Sequence, residues 1–121
     1  MNEDDLEAYA DAWNDHDIDK IMSFHTPDCI FDTGSGSEKY GNRYSGFDNV
    51  KQRFIEVWTE LPDVRFENGS HFTSGNRGCS EWTFVATRPN GTLIEIDGCD
   101  LFTFKDGKIR VKNSLLKNRT A

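Results

Sequence analysis

The sequence is poor in cysteine, proline and basic residues, and it has no long apolar run. Its three cysteines, Cys29, Cys79 and Cys99, are odd in number and far apart. That spacing fits neither a disulfide framework nor a metal-ligand set. It reads as small buried hydrophobes in a reducing, cytoplasmic setting. Lysine and arginine total 14 against 21 acidic residues, a formal charge of −7. No basic face is therefore expected for nucleic acid or for an anionic membrane. No stretch approaches the roughly 18 apolar residues that cross a bilayer. The acidic start Met1-Asn2-Glu3-Asp4-Asp5 lacks the basic-then-apolar pattern of a secretory leader. Gly34-Ser35-Gly36 does not open a helix, so no phosphate cradle is expected. Asp11, Asp15, Asp17 and Asp19 lack the glycine and terminal glutamate of a calcium loop. No metal and no cofactor are expected.

What remains is the composition of one globular domain over residues 1–121, with aromatic rings making up 12% of the chain. Leu6, Tyr9, Ala10 and Trp13 fall at helical spacing, and Asn2 with Asp5 can cap that helix. A second short helix is predicted with Ile18, Ile21, Met22 and His25 on one stripe and Pro27 as its end. A short strand follows from Cys29 to Asp32. A third helix carries Val50, Phe54, Val57, Trp58 and Leu61, capped by Ser45 and closed by Pro62. From Val64 the period changes to two. Strands are predicted over Val64–Thr73, Cys79–Thr87 and Thr92–Phe104, with Gly98 as a bulge, and a last one to about Leu116. Asp106-Gly107 forms the final hairpin turn. Segregated helices and antiparallel strands mean α+β, with a cavity expected between three helices and one curved sheet.

Four stretches carry a family resemblance: Trp13 to Asp19, Cys29-Ile30-Phe31-Asp32, Tyr44-Ser45-Gly46, and Asp100 to Ile109 with its Asp-x-Phe-x-Phe run. In this order they resemble NTF2-like domains, nearest the SnoaL-like and ketosteroid-isomerase-like branch. The resemblance covers nearly the whole chain. It implies a cone-shaped, curved antiparallel or mixed sheet packed on three helices, the cystatin-like α+β barrel. It implies a homodimer through the outer sheet face. It also implies an apolar pocket in which Asp32 is a general base and Asp100, kept protonated, donates to a developing oxyanion. The family's oxyanion tyrosine falls on Ala8, with Tyr9 beside it. The acid that SnoaL-type cyclases carry near the end of the last strand falls on Lys117.

Strand alternation gives this proposal a geometry. If Asp100 faces the helices, so do Ile94, Ile96, Phe102 and Phe104, whereas Asp32 shares a face with Ile30. An unbroken last hairpin pairs Phe104 with Ile109 and Phe102 with Val111, and so sets Asn113 opposite Asp100 as a second oxyanion donor. Lys112 then points away; a bulge would turn it inward, where a desolvated lysine is reactive. Tyr9, Trp13, His25, Phe54, Trp58, Trp82, Phe84 and Phe102 are expected to grip a small apolar molecule. Each residue also has a plainer role. Asp32 can cap a turn, Asp100 can be a structural acid, Asn113 a strand-edge polar group and His25 a core histidine, while His71 sits on a solvated face. The function expected is proton abstraction from an apolar carbonyl compound, as in an isomerase or lyase. A non-catalytic ligand binder and a dimerisation domain are the alternatives.

Overall fold

The computed structural model describes residues 1–120. Helix α1 spans Glu3–Asn14 and begins with the capping box foreseen, Asn2 and Asp5 each bonding the other's backbone N–H. Helix α2 spans Ile18–Ser23, shorter than the stripe of apolar residues suggests. His25 is not on it. That residue opens strand β1, His25–Asp32, and Pro27 lies inside the strand. A proline is tolerated there because β1 breaks register with its neighbour between His25 and Ile30, where its missing N–H costs no ladder bond.

A three-residue strand β2, Arg43–Ser45, precedes helix α3, Phe47–Glu60. Ser45 belongs to β2 and does not cap α3. The N-cap is Gly46 at φ +90°, and its side-chain-free backbone makes the sharp entry. Strands β3 (Arg65–Ser74), β4 (Arg77–Thr87), β5 (Leu93–Lys105) and β6 (Lys108–Leu116) form the meander. The six strands make one mixed sheet in the order β2-β1-β6-β5-β4-β3, with β1 parallel to β6 and the other pairs antiparallel. The three helices cover one face of this curved, unclosed sheet. Leu6, Ile21, Val50, Phe54 and Ile109 are fully enclosed between the layers. Each such side chain contributes about 1.5–3 kcal/mol of burial. No described helix is long and apolar enough to cross a membrane.

Two register breaks position the site. In β3, Asn68 and Gly69 together oppose Trp82, and Asn68 takes φ +59°. In β6, Phe104 pairs with Ile109 but Thr103 pairs with Val111, so Arg110 is the extra residue. Past each break the strand presents its other face. Gly98, in contrast, is not a bulge: it pairs regularly with Trp82. Its missing Cβ makes room for the Trp82 ring and the Leu115 carbonyl, both of which a methyl group would meet inside van der Waals contact.

Candidate functional site

The break at Arg110 decides what faces the helices. Leu101 pairs with Asn113, Phe102 with Lys112 and Asp100 with Ser114. Lys112 and Ser114 therefore point inward beside Asp100, and Asn113 turns to the outer face. This corrects the expected partnership of Asp100 with Asn113, for which an unbroken hairpin was required. Asp100 itself faces inward as the alternation requires, with Ile94, Phe102 and Phe104 on its side of β5.

Asp32 also departs from its expected place. Phe31 pairs with Lys112 and lines the cavity, so Asp32, next along the strand, lies on the opposite face beside Asn113. There Arg43 grips it through two hydrogen bonds, Nε to Oδ1 at 2.8 Å and Nη2 to Oδ2 at 3.0 Å. The Arg43 guanidinium stacks over Tyr40 at 4.1 Å and fastens the Thr33–Asn42 loop to the sheet. Asp32 and Asp100 do not converge in one hollow.

The cavity between α1, α3 and the sheet has a volume of about 320 Å³. Its walls are aromatic: Trp13, Phe31, Phe66, Trp82 and Phe84. Arg53 and Glu60 of α3 and the Thr33–Asn42 loop surround one side, and Lys112 and Ser114 supply polar groups from the sheet. A larger concavity of about 940 Å³ lies on the outer face between Phe72, Cys99 and Leu115. It is an open trough that does not reach the Lys112–Asp100 pair, and the cavity between the helices and the sheet, which Lys112 and Ser114 line, is the candidate site.

Lys112 is buried with 4% of its side chain exposed, and its Nζ donates to Asp100 Oδ2 at 2.8 Å. Its ammonium also lies 5.4–5.8 Å from the ring centroids of Tyr9, Trp13, Phe31 and Phe102. These rings partly replace lost hydration through their negative faces. Asp100 is equally buried. Trp82 Nε1 donates to Oδ2 at 3.1 Å and Ser114 Oγ to Oδ1 at 2.5 Å. An indole and an ammonium can only donate, so this carboxylate is held as an acceptor. The neutral, hydrogen-bond-donating Asp100 implied by the family resemblance is not what this arrangement favours.

The remaining expected residues divide. Trp13, Trp82 and Phe84 line the cavity, while Tyr9 and Phe102 line a smaller void beneath it. His25, Phe54 and Trp58 pack in the layer behind these walls and line neither space. Burial, and then the charge of Lys112, lower His25 to about 3, so it stays neutral. Its Nε2 bonds the Tyr9 hydroxyl at 2.8 Å. Burial, reinforced by the Asp100 charge, raises Tyr9 well above its ordinary value. Burial pushes Cys29 and Cys79 up to about 11, so neither is a thiolate nucleophile at neutral pH. His71, assigned from alternation to a solvated face, points inward because of the β3 bulge and bonds Ser80. Ser114 and Ser80 are the polar residues that sequence patterning passed over; Lys112 faces inward through the bulge that was its condition for doing so, and His71 takes the opposite face from the one expected.

Comparison with known proteins follows this geometry. The family model described as "SnoaL-like domain" matches residues 6–111. No curated protein matches the sequence. Among solved structures, a candidate polyketide cyclase from Xanthomonas campestris pv. campestris superposes with TM-score 0.82 at 19% identity, covering 93% of this chain and 87% of that one. TerC, co-crystallised with polyporic acid, gives 0.79 at 25% identity, covering 93% and 88%. A protein of ketosteroid isomerase-like fold from Catenulispora acidiphila, in complex with trimethylamine, gives 0.81 at 11% identity, covering 94% and 85%.

Proposed function

The chain belongs to the SnoaL-like domain family, and from that membership and its cavity we propose that it is a small-molecule enzyme of isomerase or lyase type. It takes a compact, largely apolar carbonyl compound and moves a proton from the carbon beside the carbonyl. The observation that carries this is the Lys112 ammonium. It is buried, faces the cavity, and among the described residues spends one hydrogen bond, on Asp100. Its other N–H groups can hold a carbonyl oxygen and stabilise the enolate that forms. The proton leaves through Ser114: its hydroxyl, already donating to Asp100 Oδ1, takes the substrate proton as it passes its own to the carboxylate. Asp100 thus takes over the base role expected of Asp32, while the oxyanion role expected of Asp100 passes to Lys112. The aromatic walls grip the rest of the molecule. That structural relatives include a candidate polyketide cyclase and a protein crystallised with polyporic acid is in keeping with a carbonyl-rich ligand.

The test is hydrogen–deuterium exchange into small cyclic and aromatic ketones in D₂O, followed by mass spectrometry. The protein is expected to catalyse exchange beside the carbonyl of some of them. Lys112→Met and Asp100→Asn should each slow it by roughly 10²-fold. Ketones that bind without exchanging would make the protein a binder and not an enzyme.

The proposal includes a homodimer through the outer sheet face, where Phe72 and Leu115 are 55% and 48% exposed. It also places the protein in the cytoplasm, in keeping with three unpaired thiols.

A further inference from the structure

The sheet register sets four polar side chains in one row. His71 of β3 lies opposite Ser80 of β4, Ser80 opposite Asp100 of β5, and Asp100 opposite Ser114 of β6. All four point to the helix side, about 5 Å from one to the next as cross-strand neighbours. The row is bonded at both ends: Ser114 Oγ donates to Asp100 Oδ1 at 2.5 Å, and Ser80 Oγ meets His71 Nδ1 at 2.7 Å. Between the two pairs lies a void of about 30 Å³, bordered by Asp100, Lys112, Ser80 and His71 together with Tyr9 and Ala10. That volume is enough for one water, and His71, Ser80, Asp100 and Lys112 border it with the polar groups a buried water needs. One end of the row opens on the 320 Å³ cavity through Ser114. The other ends at His71, which is only partly buried.

We infer that this row, completed by one water, is a proton relay from the buried Lys112–Asp100 pair to solvent, with His71 as its outlet on the side away from the ligand cavity. It rests on the proposed role of Asp100 as proton acceptor. The transfers balance as follows. Asp100 gives its proton to the water, the water gives one of its own to Ser80 Oγ, and the Ser80 hydroxyl proton passes to His71 Nδ1. The imidazolium then releases its Nε2 proton to bulk water. Asp100 is restored without opening the ligand cavity. Histidine suits the outlet because it can take a proton on one ring nitrogen and release one from the other. His71 acts through the water and Ser80, and so positions and conducts without touching the ligand.

The relay is testable in the ligand-free protein, so its outcome is separable from that of the ketone experiment. Solvent exchange of the Lys112 ammonium protons and of the Trp82 indole N–H, both bonded to Asp100, is measured by nitrogen-15 NMR at fixed pH. His71→Ala and Ser80→Ala are expected to slow exchange tenfold or more, within the roughly 10²-fold that a positioned acid–base group contributes. Added imidazole should restore it in His71→Ala. Ala10→Leu, which fills the void and removes no polar group, should slow it equally. Loosening of the fold would speed exchange, so a slowing cannot come from damage. Unchanged or faster exchange in His71→Ala overturns the relay. Slowing in Ala10→Leu alone overturns the assignment of His71 as the outlet. An intact relay without ketone exchange would leave the inference standing and remove the proposed enzyme.

Discussion

Lys112 and Asp100 show what it takes to keep two charges inside an aromatic core. Removing either ion from water costs several kcal/mol, and their attraction offsets this only where geometry is good and the remaining valences are filled. Here Trp82 and Ser114 complete the carboxylate and four rings surround the ammonium, but the ammonium keeps unmatched protons. A hydrophobic pair of similar volume would satisfy the fold at least as well, so the unmatched protons point to a ligand and not to stability. His25, in the same layer, answers the opposite way and stays neutral. The folded protein holds it neutral down to about 3, whereas the unfolded chain protonates it near 6.5. Between these values the unfolded state binds the extra proton, so stability falls as pH is lowered and is fully present only above about 6.5. By pH 5 the loss is about 2 kcal/mol, at ~1.4 kcal/mol per pH unit. Urea unfolding at fixed protein concentration should show this loss between pH 7 and 5 in the wild type and not in His25→Gln. Equal acid sensitivity of the two would mean that His25 is protonated inside the fold.

At the scale of elements, the strands differ in how far they could be read. Wherever β4 and β5 run without a break, alternation holds: Trp82, Phe84 and Ala86 share a face, and Asp100 shares one with Phe102 and Phe104. Helices α1 and α3 were legible from their stripes for the same reason, a period kept over several turns. The misplaced residues all follow from a broken period or an ambiguous cue. His71 comes after the β3 bulge and Lys112 after the β6 bulge. Neither bulge has a reliable mark in the sequence, and the extra residue Arg110 makes its contact with a strand that is adjacent in the sheet but far away along the chain. Arg110 Nε bonds Asp28 of β1 at 3.0 Å, and Lys105 approaches the same carboxylate at 3.8 Å. Pro27 and His25 read as a helix end because proline marks irregular strands as well as helix stops. Asp32 was placed correctly beside Ile30, but periodicity alone does not say which face of β1 the helices cover. Deleting Arg110 removes the extra residue and should leave a regular hairpin with the same pairs, Lys112 opposite Phe102 and Ser114 opposite Asp100. Lys112→Met, in contrast, leaves Asp100 buried without its cation, which costs about 3–5 kcal/mol. The deletion variant should therefore melt above Lys112→Met, and its Lys112 should stay protected from amine-modifying reagents as in the wild type. A deletion variant whose Lys112 is modified as readily as a surface lysine would overturn this account of the register.

The whole molecule carries −7 and yet exposes apolar side chains on the face of the sheet that the helices leave bare. Phe72 and Leu115 border the open trough of about 940 Å³, with Cys79 and Cys99 on its floor. Large apolar side chains left exposed on a sheet face and rimmed by polar ones, here Asn68, Glu81, Asp97 and Lys117, mark an interaction surface. A second copy is the occupant that fits the shape, because a self-facing sheet forms an isologous interface in which each trough receives the other copy's side chains. Two copies also bring two negative charges of equal size together. Their repulsion acts over the Debye length, about 8 Å at physiological ionic strength and 30 Å at 0.01 M. Association held by apolar contact against net repulsion strengthens with salt, the reverse of one held by surface ion pairs. Sedimentation should therefore show a species of twice 13.8 kDa whose dissociation constant falls between 0.01 and 0.15 M salt. Phe72→Asp combined with Leu115→Asp should leave a monomer at both salt concentrations. Because these residues are on the opposite side of the sheet from Lys112, that monomer should still exchange deuterium into ketones. A wild-type monomer at micromolar concentration in both buffers would remove the dimer, and a monomeric variant that loses exchange would mean that the second copy helps to hold the cavity in shape.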